Sequence, residues 1–265
     1  MRSRRGYSLI GLLITLACMV VLMAIALPAM RSATTGMNPD GSQAPNSAWG
    51  GVEMMQLQAL GQAMLAQGLG SGMDSMYPRP SDANGTKDRT LDTTANLYSL
   101  LVMERFTTPK QLVRKGDRGY VEIDDDYDWT TYSPRNGVYW DPSFVADLDV
   151  LSNVSYAHMP LTGRRVDNQW RAGAMSSDFP LFGSRGPRDG VETADSVTCP
   201  MGKWSGRVVF ADGHVDFLDS PRAFSRRSRF GPDNLFAIDD EAGGSDAILG
   251  FTQSIDEDGV TLQWD

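Results

Sequence analysis

The chain has 265 residues, 41% of them hydrophobic and 22% charged, enough for one hydrophobic core with room for a subdomain. Its formal net charge of −9 excludes a nucleic-acid partner, because such binding needs a basic face. Two cysteines and two histidines exclude a disulfide framework, a zinc spacing and a His-based metal cluster. The first element in chain order is apolar. Arg2, Arg4 and Arg5 precede it, and no charged residue occurs from Gly6 to Met30. A run of about 20 apolar residues is what a helix needs to cross a hydrocarbon core of roughly 30 Å. With the arginines on its N-terminal side, the segment leaves the N-terminus in the cytoplasm and sends residues 32–265 across the membrane.

Three readings fit this segment. A secretory signal peptide would have a shorter apolar core and a small-residue cleavage site, which Ala24-Ile25-Ala26 supplies. A plain signal anchor needs only the apolar run. The third is more specific: Arg4-Arg5-Gly6-Tyr7-Ser8-Leu9-Ile10-Gly11-Leu12-Leu13 resembles the leader of type IV pilins and type II secretion pseudopilins. The resemblance implies a prepilin peptidase that cuts between Gly6 and Tyr7 and methylates the new amine of Tyr7. It also implies other pilin-like subunits as partners, and membrane lipid around residues 7–30. Pro28 falls at residue twenty-two of the mature chain, where pilin helices often carry a kinking proline. Gly11 is a departure, since the fifth mature residue in that family is usually Glu, whose carboxylate pairs with a neighbour's amine. An unpaired carboxylate is costly in a bilayer. Gly11 therefore implies a minor or non-standard subunit, such as a tip subunit, or simply a small residue for close helix packing.

Residues 32–48 are a linker rich in turn residues, among them Asn38-Pro39-Asp40-Gly41. From Val52 to Gln67 the pattern is helical, with Met54, Leu57, Leu60, Met64 and Leu65 as the apolar stripe. Residues 71–91 follow as an irregular loop. Asp92-Thr93-Thr94 caps a helix whose buried side is Leu97, Leu100, Leu101 and Met103, and Phe106 closes it. Thr108-Pro109 opens a short helix through Val113. The strings Asn96 to Val102 and Thr108 to Val113 resemble bacterial pilin-like proteins of the branch with a C-terminal His-x9-Asp-Gly signature.

The run Glu122 to Asp128 places Asp124, Asp126 and Asp128 at the first three ligand positions of an EF-hand loop. Trp129 then stands where Gly is required and Arg135 where a bidentate Glu belongs, so the loop is not an EF-hand. Two readings remain, a looser calcium site and a solvated acidic loop. Trp129, Tyr132, Tyr139 and Trp140 are expected to anchor the loop on the core.

Strands follow. Val154 to Met159 is one. Arg207 to Leu218 is a hairpin around Asp212-Gly213, a dipeptide suited to a two-residue turn with positive φ. That turn sets Phe210 opposite Val215 and Val208 opposite Phe217 on the core face, and His214 opposite Ala211 on the solvent side. Phe210-Ala211-Asp212-Gly213 resembles the Asp-Gly half of the family signature, and Ser155-Tyr156-Ala157 what precedes it. The His half is replaced by Gly202. A last hairpin turns at Asp256 to Gly259, with Val260, Leu262 and Trp264 on one face. Arg222, Arg226, Arg227 and Arg229 form a basic cluster, read either as pairing with Asp239, Asp240 and Glu241 or as an anionic-ligand site.

The expected fold is α+β: a leader over 1–6, a transmembrane helix over 7–31, a linker over 32–48, and an exported pilin-like domain over 49–265 with helices on an antiparallel sheet. The sequence carries no nucleophile, zinc-protease or phosphate-loop motif. No catalytic residue and no cofactor is expected, calcium apart. Two function classes remain: a pilin-like structural subunit at the inner membrane, and an anchored exported binding domain for glycan or another envelope component that keeps its leader.

Overall fold

A computed structural model describes residues 48–72, 75–115, 117, 121–199, 202–222, 233–238, 246–257 and 259–265. The leader, the expected transmembrane segment and nearly all of the expected linker lie outside these residues. Among the described residues, no helix is long and apolar enough to cross a membrane.

The architecture is α+β. Helices α1 (Ala48–Ser71), α2 (Pro80–Ala83), α3 (Thr94–Met103) and α4 (Pro109–Leu112) come first. Strands β1 (Ala146–Asp147), β2 (Leu151–Ser152) and β3 (Tyr156–His158) follow, then α5 (Arg164–Gln169). The chain ends with β4 (Pro180–Ser184), β5 (Gly206–Phe210), β6 (Val215–Leu218), β7 (Phe251–Asp256) and β8 (Gly259–Gln263). Strands β3 to β6 form one antiparallel sheet in sequence order, while β1–β2 and β7–β8 are separate pairs. A bridge from His158 to Gly250 brings the last hairpin against the β3 edge.

Helix α1 lies across one face of the sheet. Its buried positions are Gly50, Glu53, Leu57, Leu60, Gly61, Met64 and Gly68, a three-and-four spacing that makes one stripe. The stripe differs from the expected one at its start, because Met54 is 38% exposed and the acid Glu53 takes the buried place. The helix also runs from 48 to 71 rather than from 52 to 67. Gly61 sits so close to β5 that a Cβ there would lie 2.6 Å from the Val209 Cγ2 methyl. A glycine at this point is what lets helix and sheet meet at backbone distance.

The helix at 94–103 begins as expected, with the Thr93 side chain accepting from the Asn96 N–H at 3.3 Å. Pro109 opens α4, and the Thr108 N–H donates to the Gln111 side chain at 3.1 Å. The stretch 71–91, expected as irregular loop, contains α2 and a single 3-10 turn at Arg89–Leu91.

The Asp212-Gly213 hairpin is present, but its loop has three residues and not two. Phe210 N–H donates to His214 O at 3.0 Å, Gly213 N–H donates to Phe210 O at 2.8 Å, and Gly213 has φ of 83°. This is the turn-plus-bulge loop, which also needs glycine in the left-handed region. The register moves by one: Val209 faces Val215, Val208 faces Asp216 and Arg207 faces Phe217. Val208 and Phe210 are buried as expected, while Val215 and Phe217, on the outer strand, are only half-buried. His214 stands opposite Phe210 rather than Ala211, and its ring stacks on Phe210 with centroids 4.5 Å apart. The terminal hairpin follows its expected turn, with Asp256 paired to Gly259 and Trp264 buried.

Candidate functional site

Two buried polar constellations join elements far apart in sequence. The first surrounds the N-terminal turns of α1. Strand β4 carries Ser184 opposite Tyr156, and its hydroxyl donates to the Glu53 carboxylate at 2.7 Å. Arg114, just past α4, lies 3.4 Å from Glu53 and 3.2 Å from Asp117, and Arg185 reaches Asp117 at 2.9 Å. Gln56, about one turn further along the helix, accepts from the Tyr156 hydroxyl at 2.7 Å. Burial disfavours the Arg114 charge, but Glu53 and Asp117 outweigh it and hold its guanidinium above its ordinary range. Burial, then the Glu53 charge, pushes the Tyr156 phenol well up. Glu53, Asp117 and Arg185 are almost completely buried, so the set acts as a clamp: α1 is fixed to the domain at its N-terminal end by charge as well as by packing.

The second constellation centres on His158. Its Nδ1 lies 2.7 Å from the Met159 carbonyl, which can only accept, so Nδ1 carries the proton. Nε2 then accepts from the Thr94 hydroxyl at 2.8 Å, and Thr94 in turn accepts the Thr252 N–H at 2.7 Å. One threonine hydroxyl thus joins the start of α3, strand β3 and strand β7. Complete burial, opposed by the Met159 hydrogen bond, lowers the His158 pKa to about 4. His158 is a neutral structural group.

The acidic loop uses its carboxylates locally. Asp124 accepts from the Asp126 N–H at 3.2 Å, and Asp128 accepts from the Thr130 N–H at 2.8 Å and from its hydroxyl at 2.6 Å. The Asp128 N–H donates to Asp141 at 2.8 Å. Burial raises the Asp124 pKa. Among the described residues, no three His, Cys, Asp or Glu side chains are grouped to hold a metal ion, and Asp124, Asp126 and Asp128 form no such group. The loop's anchor differs from the expected one. Tyr127 is the buried aromatic, its hydroxyl donating to Ser99 O at 2.7 Å, whereas Trp129 and Tyr132 are 39% and 53% exposed. Trp140 is partly buried and donates to the Asn96 side chain at 3.1 Å.

Of the remaining expected residues, Cys199 is buried with a free thiol. Gly6, Tyr7, Gly11 and Cys18 lie outside the described residues, as do Arg226, Arg227, Arg229, Asp239, Asp240 and Glu241. Sequence reasoning missed the Glu53 clamp and the Thr94–His158 link. The one local signal was an acid in an otherwise uncharged helix.

Residues 1–27 match the family model described as the prokaryotic N-terminal methylation motif. The match falls on the basic leader, Gly6, Tyr7 and the apolar run, and supports a prepilin-type N-terminus of the kind carried by pilins and pseudopilins. No curated protein and no solved structure matches the chain.

Proposed function

We propose that the chain is a membrane-anchored, pilin-like or pseudopilin-like structural subunit, cut between Gly6 and Tyr7 and methylated at Tyr7, with its α+β domain outside the cytoplasm. The observation that carries this is the methylation-motif match over residues 1–27. The fold supports it in one respect. The first described helix begins at residue 48, where the expected linker ends, and is clamped to the sheet at that end through Glu53. A pull on the anchor reaches the domain through that clamp. With Gly11 in place of the usual carboxylate, the subunit is a minor or non-standard component of a type II secretion or type IV pilus-like assembly. Its role is structural, without catalysis or a required cofactor.

Mass spectrometry of the N-terminal peptide from purified membranes tests the reading. The expected start is N-methylated Tyr7, lost in a Gly6→Val variant. A start at Met1 or Arg2 overturns it in favour of an anchored exported binding domain, for which the exposed Trp129 and Tyr132 beside the acidic loop are the relevant surface. A start near Leu27 means a cleaved secretory signal instead.

A further inference from the structure

Helix α1 has 24 residues and a single charged one, Glu53, which is buried. Its outward surface is therefore uncharged, on a chain with a net charge of −9. Val52, Met55 and Leu69 are 39%, 59% and 49% exposed. Together with the exposed Ala59, Gln62 and Ala66 they recur at alternating steps of three and four residues, the a and d positions of a two-stranded seam. Leu57, Leu60 and Met64, which grip the sheet, lie on the opposite side of the helix, so both faces can be occupied at once.

We infer that the outward face of α1 is covered by α1 of a second copy of this chain, parallel and in register. Charge selects that occupant. In register, identical residues stand side by side, and Gln56, Gln58, Ala63 and Leu65, which flank the seam, bring no like charges together. Two copies of so acidic a chain repel across most other surfaces. The chain preceding α1 selects it too. It ends at the first turn of α1 and contains the uncharged run from Gly6 to Met30. Copies anchored through that run hold α1 in a common direction, and confinement to a membrane raises their effective concentration. The common direction rests on the anchored reading proposed above, whereas the seam rests on α1 alone. Ala59 and Ala66 let the two backbones approach, and Gln62, meeting its own copy midway, disfavours shifted registers.

Cysteine cross-linking of the full chain in its own membrane tests this, in a Cys18→Ala background with Cys199 left buried. Met55→Cys and Ala66→Cys are each expected to give a disulfide-linked dimer on mild oxidation. Asp125→Cys, exposed on the acidic loop, is expected to stay monomeric. Adding Ala59→Glu to Met55→Cys places like charges in the seam and should cut the dimer about tenfold. Absence of cross-linking at both seam positions in protein that starts at Tyr7 overturns the inference and leaves the proposed function standing. Cross-linking only between co-expressed Val52→Cys and Leu69→Cys chains means antiparallel helices and also overturns it. Like-with-like cross-linking in protein that still starts at Met1 upholds the seam and overturns the proposed function.

Discussion

His158 has to stay neutral for the link through Thr94 to hold. Its pKa is lowered from 6.5 to about 4 by complete burial. Between those values the unfolded chain binds a proton that the folded chain does not, so stability falls as pH drops through this window. The contribution is fully present above about pH 6.5, and about 3 kcal/mol of it is lost on reaching pH 4. Urea midpoints measured from pH 7 to pH 4 should fall, and should fall less in a His158→Gln variant, which has no imidazole to protonate. Thr94→Val leaves the buried Thr252 N–H and His158 Nε2 without the hydroxyl and should cost about 2–4 kcal/mol in the same assay. Glu53 carries the second residue-scale expectation. Glu53→Ala removes one carboxylate from a buried ionic set and should cost about 3–5 kcal/mol, while Glu53→Gln, which keeps an acceptor for Ser184, should cost less. None of these partners was legible in the sequence. Glu53 and Ser184 are 131 positions apart, and Thr94 and His158 are 64 apart, so only the fold brings them together.

Elements were legible where their signals are local. The Thr93 cap and the Thr108-Pro109 start fix the beginnings of α3 and α4, because the side chains that close those ends stand within three residues of them. The central hairpin was legible as a hairpin but not in its register. Asp-Gly suits a two-residue turn and also the three-residue loop in which Gly213 adopts φ of 83°, and the choice shifts every pair on β6 by one. Phe210→Ala should cost about 3–5 kcal/mol, since Phe210 is fully buried. Gly213→Ala should cost about 1–2 kcal/mol for its left-handed backbone alone. On α1, two glycines should respond in opposite directions. Nothing lies within 4 Å of a Cβ at Gly70, so Gly70→Ala should raise the unfolding midpoint through the helix preference of alanine. At Gly61 the Val209 methyl 2.6 Å away turns that gain into a loss of about 1–3 kcal/mol.

At the scale of the whole molecule, topology is the measurable consequence. A reporter fused after Asp265 should be active outside the cytoplasm and silent inside it, and cytoplasmic activity would remove the anchored reading altogether. Leader and domain were unequally legible. The leader is a contiguous string that a peptidase must read in linear order, so its signal survives in sequence. The domain's polar links are assembled from distant segments and leave no such trace. The seating of α1 on β5 has a further consequence in time. Gly61 leaves the ribosome about 150 residues before the Val209 it packs against, an interval of about 8–30 s at ordinary synthesis rates. Throughout that interval α1 lacks its bed, and both its apolar sheet-facing stripe and its uncharged outward side are open to water. The nascent chain therefore passes through a sticky stage that no local rearrangement can shorten. Arrest of synthesis before residue 206 should leave α1 open to protease, and arrest well beyond β6 should leave it protected.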